Sequence, residues 1–198
     1  MSLDNRIVLI TGGCGQVGFA ITEYLQSRHP TTKIHVLDLT PPSALSQTVT
    51  FHTGSITDAS TISSLFSLIK PEIVFHTAGL IPSIAVRLGL NTEKDFLEVN
   101  LEGTRIVLEE AKKVGVKAFV YTSSADVVKK DSWQDLKGVN EDMPIPEVFD
   151  SAYGKSKVKI SITLFSFLGM NYICEKSLAM LVFLWLHLMV VVALKVTC

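Results

Sequence analysis

Tyr153 and Lys157, four positions apart, are a pair able to move a proton. On a helix that spacing puts both side chains on one face. An ammonium beside a phenol favours the phenolate, lowering a tyrosine pKa that is otherwise about 10. Such a phenol can exchange a proton with an alcohol or a ketone while a nicotinamide takes or gives hydride. Tyr172 and Lys176 repeat the spacing, so position has to choose between the pairs. Without further support, an exposed tyrosine and a solvated lysine are the plain alternative for either.

Ser123 and Ser124 follow an apolar run at 118–121. They belong at the C-terminal edge of a sheet, where open α/β folds bind ligands. A polar stretch from about 125 to 150, with Pro144 and Pro146, reads as a long loop of the functional or mobile kind. It leads to a helix starting near Ser151, whose first turn returns Tyr153 to the serine edge. Tyr172 would lie about 28 Å further along a continuous helix. Tyr153 and Lys157 are therefore the expected catalytic pair.

A cofactor loop stands in the right place. The run TGGCGQVG at 11–18 follows one apolar strand and opens the first helix. It satisfies both G-x-G-x-x-G (13, 15, 18) and G-x-x-G-x-x-G (Gly12, Gly15, Gly18). Glycine suits a turn of unusual dihedrals that a ligand must approach closely. The first turn, with Gln16 and Val17, presents unpaired N–H groups and a positive dipole end to a pyrophosphate. Asp38 ends the second strand 20 residues beyond Gly18, where an acid would accept hydrogen bonds from the adenosine ribose. Leu39 and Thr40 follow, with no arginine to hold a 2′-phosphate, so NAD is preferred over NADP. Asp58, after Gly54-Ser55-Ile56-Thr57, reads locally as the N-cap or first-turn acid of the next helix.

The elements that must position these groups alternate. Strand-like runs at 7–10, 34–37, 49–51, 73–75 and 118–121 are separated by helical patterns at about 16–28, 58–69 and 92–114. Several runs are apolar without alternation, as strands covered on both faces are. The order predicts an α/β fold, a doubly wound parallel sheet of the Rossmann type. There is no internal repeat. The chain has 198 residues and a net charge of −1, which excludes the basic footprint of a nucleic-acid binder. Its three cysteines, Cys14, Cys174 and Cys198, are too scattered for a disulfide framework or a zinc site.

Taken together, TGGCGQVG (11–18), FHTAG (75–79), VNLEGT (99–104), YTSSADVV (121–128) and YGKSK (153–157) resemble the extended short-chain dehydrogenase/reductase superfamily. The HTA and YTSS forms are most similar to its 3β-hydroxysteroid dehydrogenase branch, which includes sterol C4-carboxylate 3-dehydrogenases. The resemblance implies NAD as cofactor, with Tyr153 as acid/base and Lys157 as its partner and a ligand of the nicotinamide ribose. It implies that Ser124, rather than Ser123, bonds the substrate oxygen. It places Asp58 at the adenine and Ala78 at the cofactor. Asn100 is given a site role beside a structural one, while His76 reads as a satisfied core histidine. The implied reaction is oxidation of a secondary alcohol, the 3β-hydroxyl of a sterol or triterpenoid, to a ketone. The implied partner is an apolar small molecule, with no nucleic acid; a homo-oligomer is one possibility. Nucleotide-sugar epimerases share this chemistry but follow the serine with V-Y-G, where this chain has Val127-Val128-Lys129.

The resemblance fades after about residue 158. Residues 1–158 read as the dinucleotide-binding catalytic domain, and 159–198 as a hydrophobic tail where relatives carry a further strand and a substrate region. The sheet is expected to be incomplete at its C-terminal side, so a nucleotide-binding protein with little catalysis is the second functional reading. Residues 178–194 carry no formal charge. As a helix they would rise about 26 Å, just short of a hydrocarbon core of roughly 30 Å. The tail has three readings: a transmembrane helix at about 177–194, an aberrant end, or a buried replacement for the missing sheet edge. The first would put the protein on the cytoplasmic face of a membrane such as the endoplasmic reticulum; the alternative is the cytoplasm.

Overall fold

Five runs rich in Val, Ile and Phe become five parallel strands: β1 (Ile7–Thr11), β2 (Lys33–Asp38), β3 (Val49–Thr53), β4 (Ile73–His76) and β5 (Ala118–Thr122). A computed structural model describes residues 3–42, 48–82, 92–130, 145–149, 151–167 and 191–195. The sheet runs β3-β2-β1-β4-β5, then a sixth strand. Successive side chains of a strand face opposite ways, and both faces of β1 are covered. Val8 and Ile10 join Leu25 of helix α1 (Gln16–Arg28) with Ile34, Val36 and Ile73. Leu9 joins the larger core with Leu37, Val74, Phe119 and Tyr121. This core is closed by α2 (Ala59–Ile69), α4 (Thr104–Val114) and α5 (Ala152–Phe167) through residues such as Phe66, Val107 and Leu164. Truncating a buried leucine here to alanine costs about 2–5 kcal/mol.

The helix expected at 92–114 is present but not uniform. It opens as α3 (Glu93–Phe96), widens into a π-helical stretch at Leu97–Gly103, and continues as α4. The Thr104 hydroxyl donates to the Asn100 carbonyl at 2.5 Å, the kind of side-chain insertion that opens an α ladder. Thr92 and Asp95 cap the N-terminal end reciprocally. Gly115, with φ +75°, closes the C-terminal end. At the sheet edge away from the glycine loop, Glu72 accepts from Arg6 and Lys117, each at 2.6 Å, tying β1, β4 and β5 together.

Beyond residue 167 the tail is described only at Val191–Lys195. Val191–Lys195 is a strand, β6, antiparallel to β5, with Val191 opposite Thr122 and Lys195 opposite Ala118. Of the three readings of the tail, this strand agrees with the replacement sheet edge and not with a helix continued to residue 194. The free edge of β5 offers a row of backbone donors and acceptors, and β-branched Val191 and Val192 suit that ladder. The sheet is thus six-stranded, with one antiparallel edge. Residues 168–190, with Tyr172, Lys176 and most of the supposed membrane segment, lie outside the described residues. Among the described residues, no helix is long and apolar enough to cross a membrane.

Candidate active site

The glycine loop is shaped by backbone contact. Gly12 has φ +72°, and a Cβ there would stand 2.6 Å from the backbone N and Cα of Ala78. A Cβ on Gly18 would drive into the Gly12 carbonyl oxygen and Gly13 Cα. These two positions demand glycine for close approach, the first between β1 and the strand-end segment after β4, the second between loop and α1. Gly15 is the N-cap of α1 and supplies no side-chain cap, so the first turn containing Gln16, Val17 and Gly18 keeps donors for a ligand.

Asp38 sits at the end of β2 beside this loop. Its carboxylate accepts from the Cys14 amide at 2.9 Å and the Leu39 amide at 2.7 Å, one on each oxygen. The carboxylate is thereby oriented with lone pairs to spare for two ribose hydroxyls. Burial raises the Cys14 thiol pKa, and the Asp38 charge and hydrogen bond add to it, so the thiol stays protonated at neutral pH. Asp58 is the N-cap of α2. It accepts from the amides and hydroxyls of Ser60 and Thr61, which hold its carboxyl at a pKa of about 2. The local cap reading is what the geometry displays. An uncapped helix start, a fixed strand-end acid and a close backbone approach together fit a dinucleotide.

The catalytic corner is built under the C-terminal end of β5. Ser124 follows that strand, is 2% exposed, and caps a 3₁₀ turn (Ala125–Val128) by accepting from the Asp126 amide. Tyr153, in the first turn of α5, is 9% exposed and its hydroxyl hydrogen-bonds Ser124. One turn later Lys157, 5% exposed, donates to the Thr122 carbonyl at 2.9 Å. The second tyrosine–lysine pair lies outside the described residues; the first lies beside the serine.

The electrostatics differ from the expectation for the pair. Burial pushes the Tyr153 phenol up, the Ser124 hydrogen bond opposes it, and the Asp126 charge adds to the rise. Lys157, with its ammonium over the ring at 5.6 Å from the centroid, is not among the causes of this shift. The lysine itself is lowered to about 8 by burial. The expected lowering of the phenol by its lysine is therefore not met in this geometry.

His76 and Asn100 resolve towards structure. His76 is fully buried, with Nδ1 2.7 Å from the Thr11 hydroxyl and Nε2 2.8 Å from that of Thr104. Burial, then the Lys157 charge, depress it to about 3, so it is a neutral core histidine. Asn100 accepts from the Leu80 amide at 2.7 Å and donates to the Leu80 carbonyl and the Ser156 hydroxyl, each at 3.1 Å. Ser156 in turn donates to the Tyr153 carbonyl at 2.7 Å. Asn100 therefore ties the Ala78–Gly79–Leu80 segment to the helix of Tyr153. Sequence reasoning missed Ser156, Thr122 and Tyr121; Thr122 meets Lys157 through its backbone carbonyl, which no residue type signals.

The profile of the 3-beta hydroxysteroid dehydrogenase/isomerase family matches residues 9–162. The chain belongs to that family. A curated relative, the decarboxylating sterol-4-alpha-carboxylate 3-dehydrogenase ERG26 of Candida albicans, is 32% identical over 165 residues, covering 79% of this chain and 45% of its own length. The chain thus spans less than half of that relative. Among solved structures, the epimerase Mth375 of Methanothermobacter thermautotrophicus is 29% identical with a TM-score of 0.71, covering 84% of this chain and 48% of that one. The Bordetella bronchiseptica enzyme WbmH, solved with NAD+, is 28% identical with a TM-score of 0.69, covering 84% and 53%. This 3-beta hydroxysteroid dehydrogenase/isomerase family member thus shares its fold with an enzyme solved with NAD+.

Proposed function

We propose that the chain is an NAD-dependent oxidoreductase that oxidises a secondary alcohol, the 3β-hydroxyl of a sterol or triterpenoid, to a ketone. The observation that carries this is the corner where Ser124, Tyr153 and Lys157 meet under β5, at the same sheet edge as the glycine loop and Asp38. Gly12, Gly15, Gln16, Val17 and Gly18 would seat the pyrophosphate, Asp38 the adenosine ribose, and Ala78 the segment beside the nicotinamide. Asp58 would reach the adenine with what its cap bonds leave free. Bound NAD supplies the hydride acceptor. In its phenolate form, Tyr153 would take the hydroxyl proton at its phenolic oxygen, and Ser124 would donate a hydrogen bond to the oxygen as it becomes a carbonyl. Lys157 supplies positive charge and, from the free N–H bonds of its ammonium, contacts to the nicotinamide ribose.

A substrate with a C4 carboxylate would become a β-keto acid, able to lose carbon dioxide, and the decarboxylating relative supports that class. An apolar substrate of this kind partitions into lipid, so the cytoplasmic face of the endoplasmic reticulum is the proposed place of work. The test is to supply the full chain with NAD and 3β-hydroxysterols, with and without the carboxylate, and to follow NADH. Turnover that disappears in Tyr153→Phe supports the reading. NAD binding without turnover overturns it. That outcome is the second reading, nucleotide binding alone, and the upward shift of the Tyr153 phenol favours it.

A further inference from the structure

Lys157 is a buried ammonium whose polar partner among the described residues is one carbonyl, that of Thr122. The group nearest to making up the difference is an aromatic face: the Tyr121 ring centroid lies 4.7 Å from Nζ, closer than the Tyr153 ring at 5.6 Å. A cation within about 6 Å of a ring centroid is attracted by the ring quadrupole, most strongly when water is excluded. Tyr121 is 1% exposed and alternates on β5 with Val120 and Thr122, so its ring points into the core with Phe119. It packs on the His76 ring at 5.9 Å, and His76 is pinned by Thr11 and Thr104. The Tyr121 hydroxyl is buried and has no hydrogen-bond partner among the described residues. Nothing in this arrangement uses the hydroxyl; the face is what meets the lysine.

We propose that Tyr121 is a positioning residue whose ring seats the Lys157 ammonium between Thr122 and Tyr153. The proposal rests on the reading of Tyr153 and Lys157 as the proton-transfer pair, and extends it by one residue. The seat explains how a cation is kept in the corner while burial draws its pKa down to about 8. The other ionisable groups facing it are His76 from β4, neutral to about pH 3, and the phenol of Tyr153 from α5, with Asp126 of the 3₁₀ turn acting on that phenol. Because the ring and not the hydroxyl does the work, phenylalanine should serve as well as tyrosine.

The test is the titration midpoint of Lys157, read from the Cε shift of carbon-13 lysine in the full chain. Tyr121→Phe should leave it unchanged, and Tyr121→Leu should lower it by about one pH unit. Tyr121→Met, flexible and of similar bulk, carries the comparison if the leucine variant does not fold. A midpoint in Leu or Met equal to that of the wild type overturns the proposal, as does a Phe variant that moves with them. Turnover of the same proteins separates the two readings: a midpoint that moves where the wild type does not turn over supports the seat and counts against the enzyme.

Discussion

At the glycine loop the working groups are backbone: amides of the first helical turn, the carbonyl of Gly12, and the Cα of Ala78 pressed against it. At the corner under β5 they are side chains, and Ser124, Tyr153, Lys157 and His76 are each no more than 9% exposed. The first region is shaped by close approach of backbone to backbone. The second stores charge in a low dielectric, so its behaviour depends on protonation. Substitutions should act sterically in one and electrostatically in the other.

The largest effect is expected at Gly18. Gly18→Val forces side-chain atoms into Gly12 and Gly13, and calorimetry should find no saturable NAD binding. Next comes Tyr153→Phe, which keeps the ring and the fold and removes the proton acceptor. NADH formation should fall by about 10²–10⁴-fold, while NAD affinity stays within about twofold. If both variants lost binding equally, the two regions would not be separable.

Asp38→Ala should follow, weakening NAD about tenfold to a hundredfold, as loss of charge-assisted hydrogen bonds does. NADP should lose its disadvantage in this variant, because the carboxylate that repels a 2′-phosphate is gone. An unchanged NAD affinity would remove Asp38 from the ribose site.

The protonation side is sharpened by His76. Its pKa is about 3 in the fold against 6.5 in an open chain, so the fold prefers the neutral ring. That preference is complete above about pH 6.5 and drains away as pH falls towards 3, because the unfolded chain binds the proton first. The denaturant midpoint of the wild type should drop between pH 7 and 5, a fall on the order of 2 kcal/mol in stability. His76→Gln should flatten that slope even if it lowers the midpoint throughout. Asp58→Ala is expected to be the mildest change, a small loss of Tm from an uncapped α2 with only a modest effect on NAD.

What was legible in the sequence follows the same division. The glycine spacing, Asp38 and the strand runs are local patterns, and each falls on the element expected of it. The tyrosine–lysine spacing and the serine pair were legible as types, and the order of elements brought them together. Three features needed the third dimension. The Lys157 ammonium sits over ring faces because Tyr121 arrives from a neighbouring strand, so the direction of the Tyr153 shift could not be read from an i, i+4 spacing. The π stretch at Leu97–Gly103, beside which Thr104 reaches back to the Asn100 carbonyl, has no local residue signal. The strand at Val191–Lys195 depends on the free edge of β5, some 70 residues earlier, whose pull no local hydropathy pattern carries.

The central claim, that the Tyr153 corner oxidises a 3β-hydroxyl with NAD from the glycine loop, is tested most directly by following the hydride. A sterol C4-carboxylate carrying deuterium on C3 is incubated with NAD and the full chain, and the nicotinamide product is read by mass spectrometry. Deuterium on the reduced nicotinamide, with a 3-keto product and none of either with Tyr153→Phe, is the expected result. Saturable NAD binding with no deuterium transferred, or transfer that survives Tyr153→Phe, would contradict it.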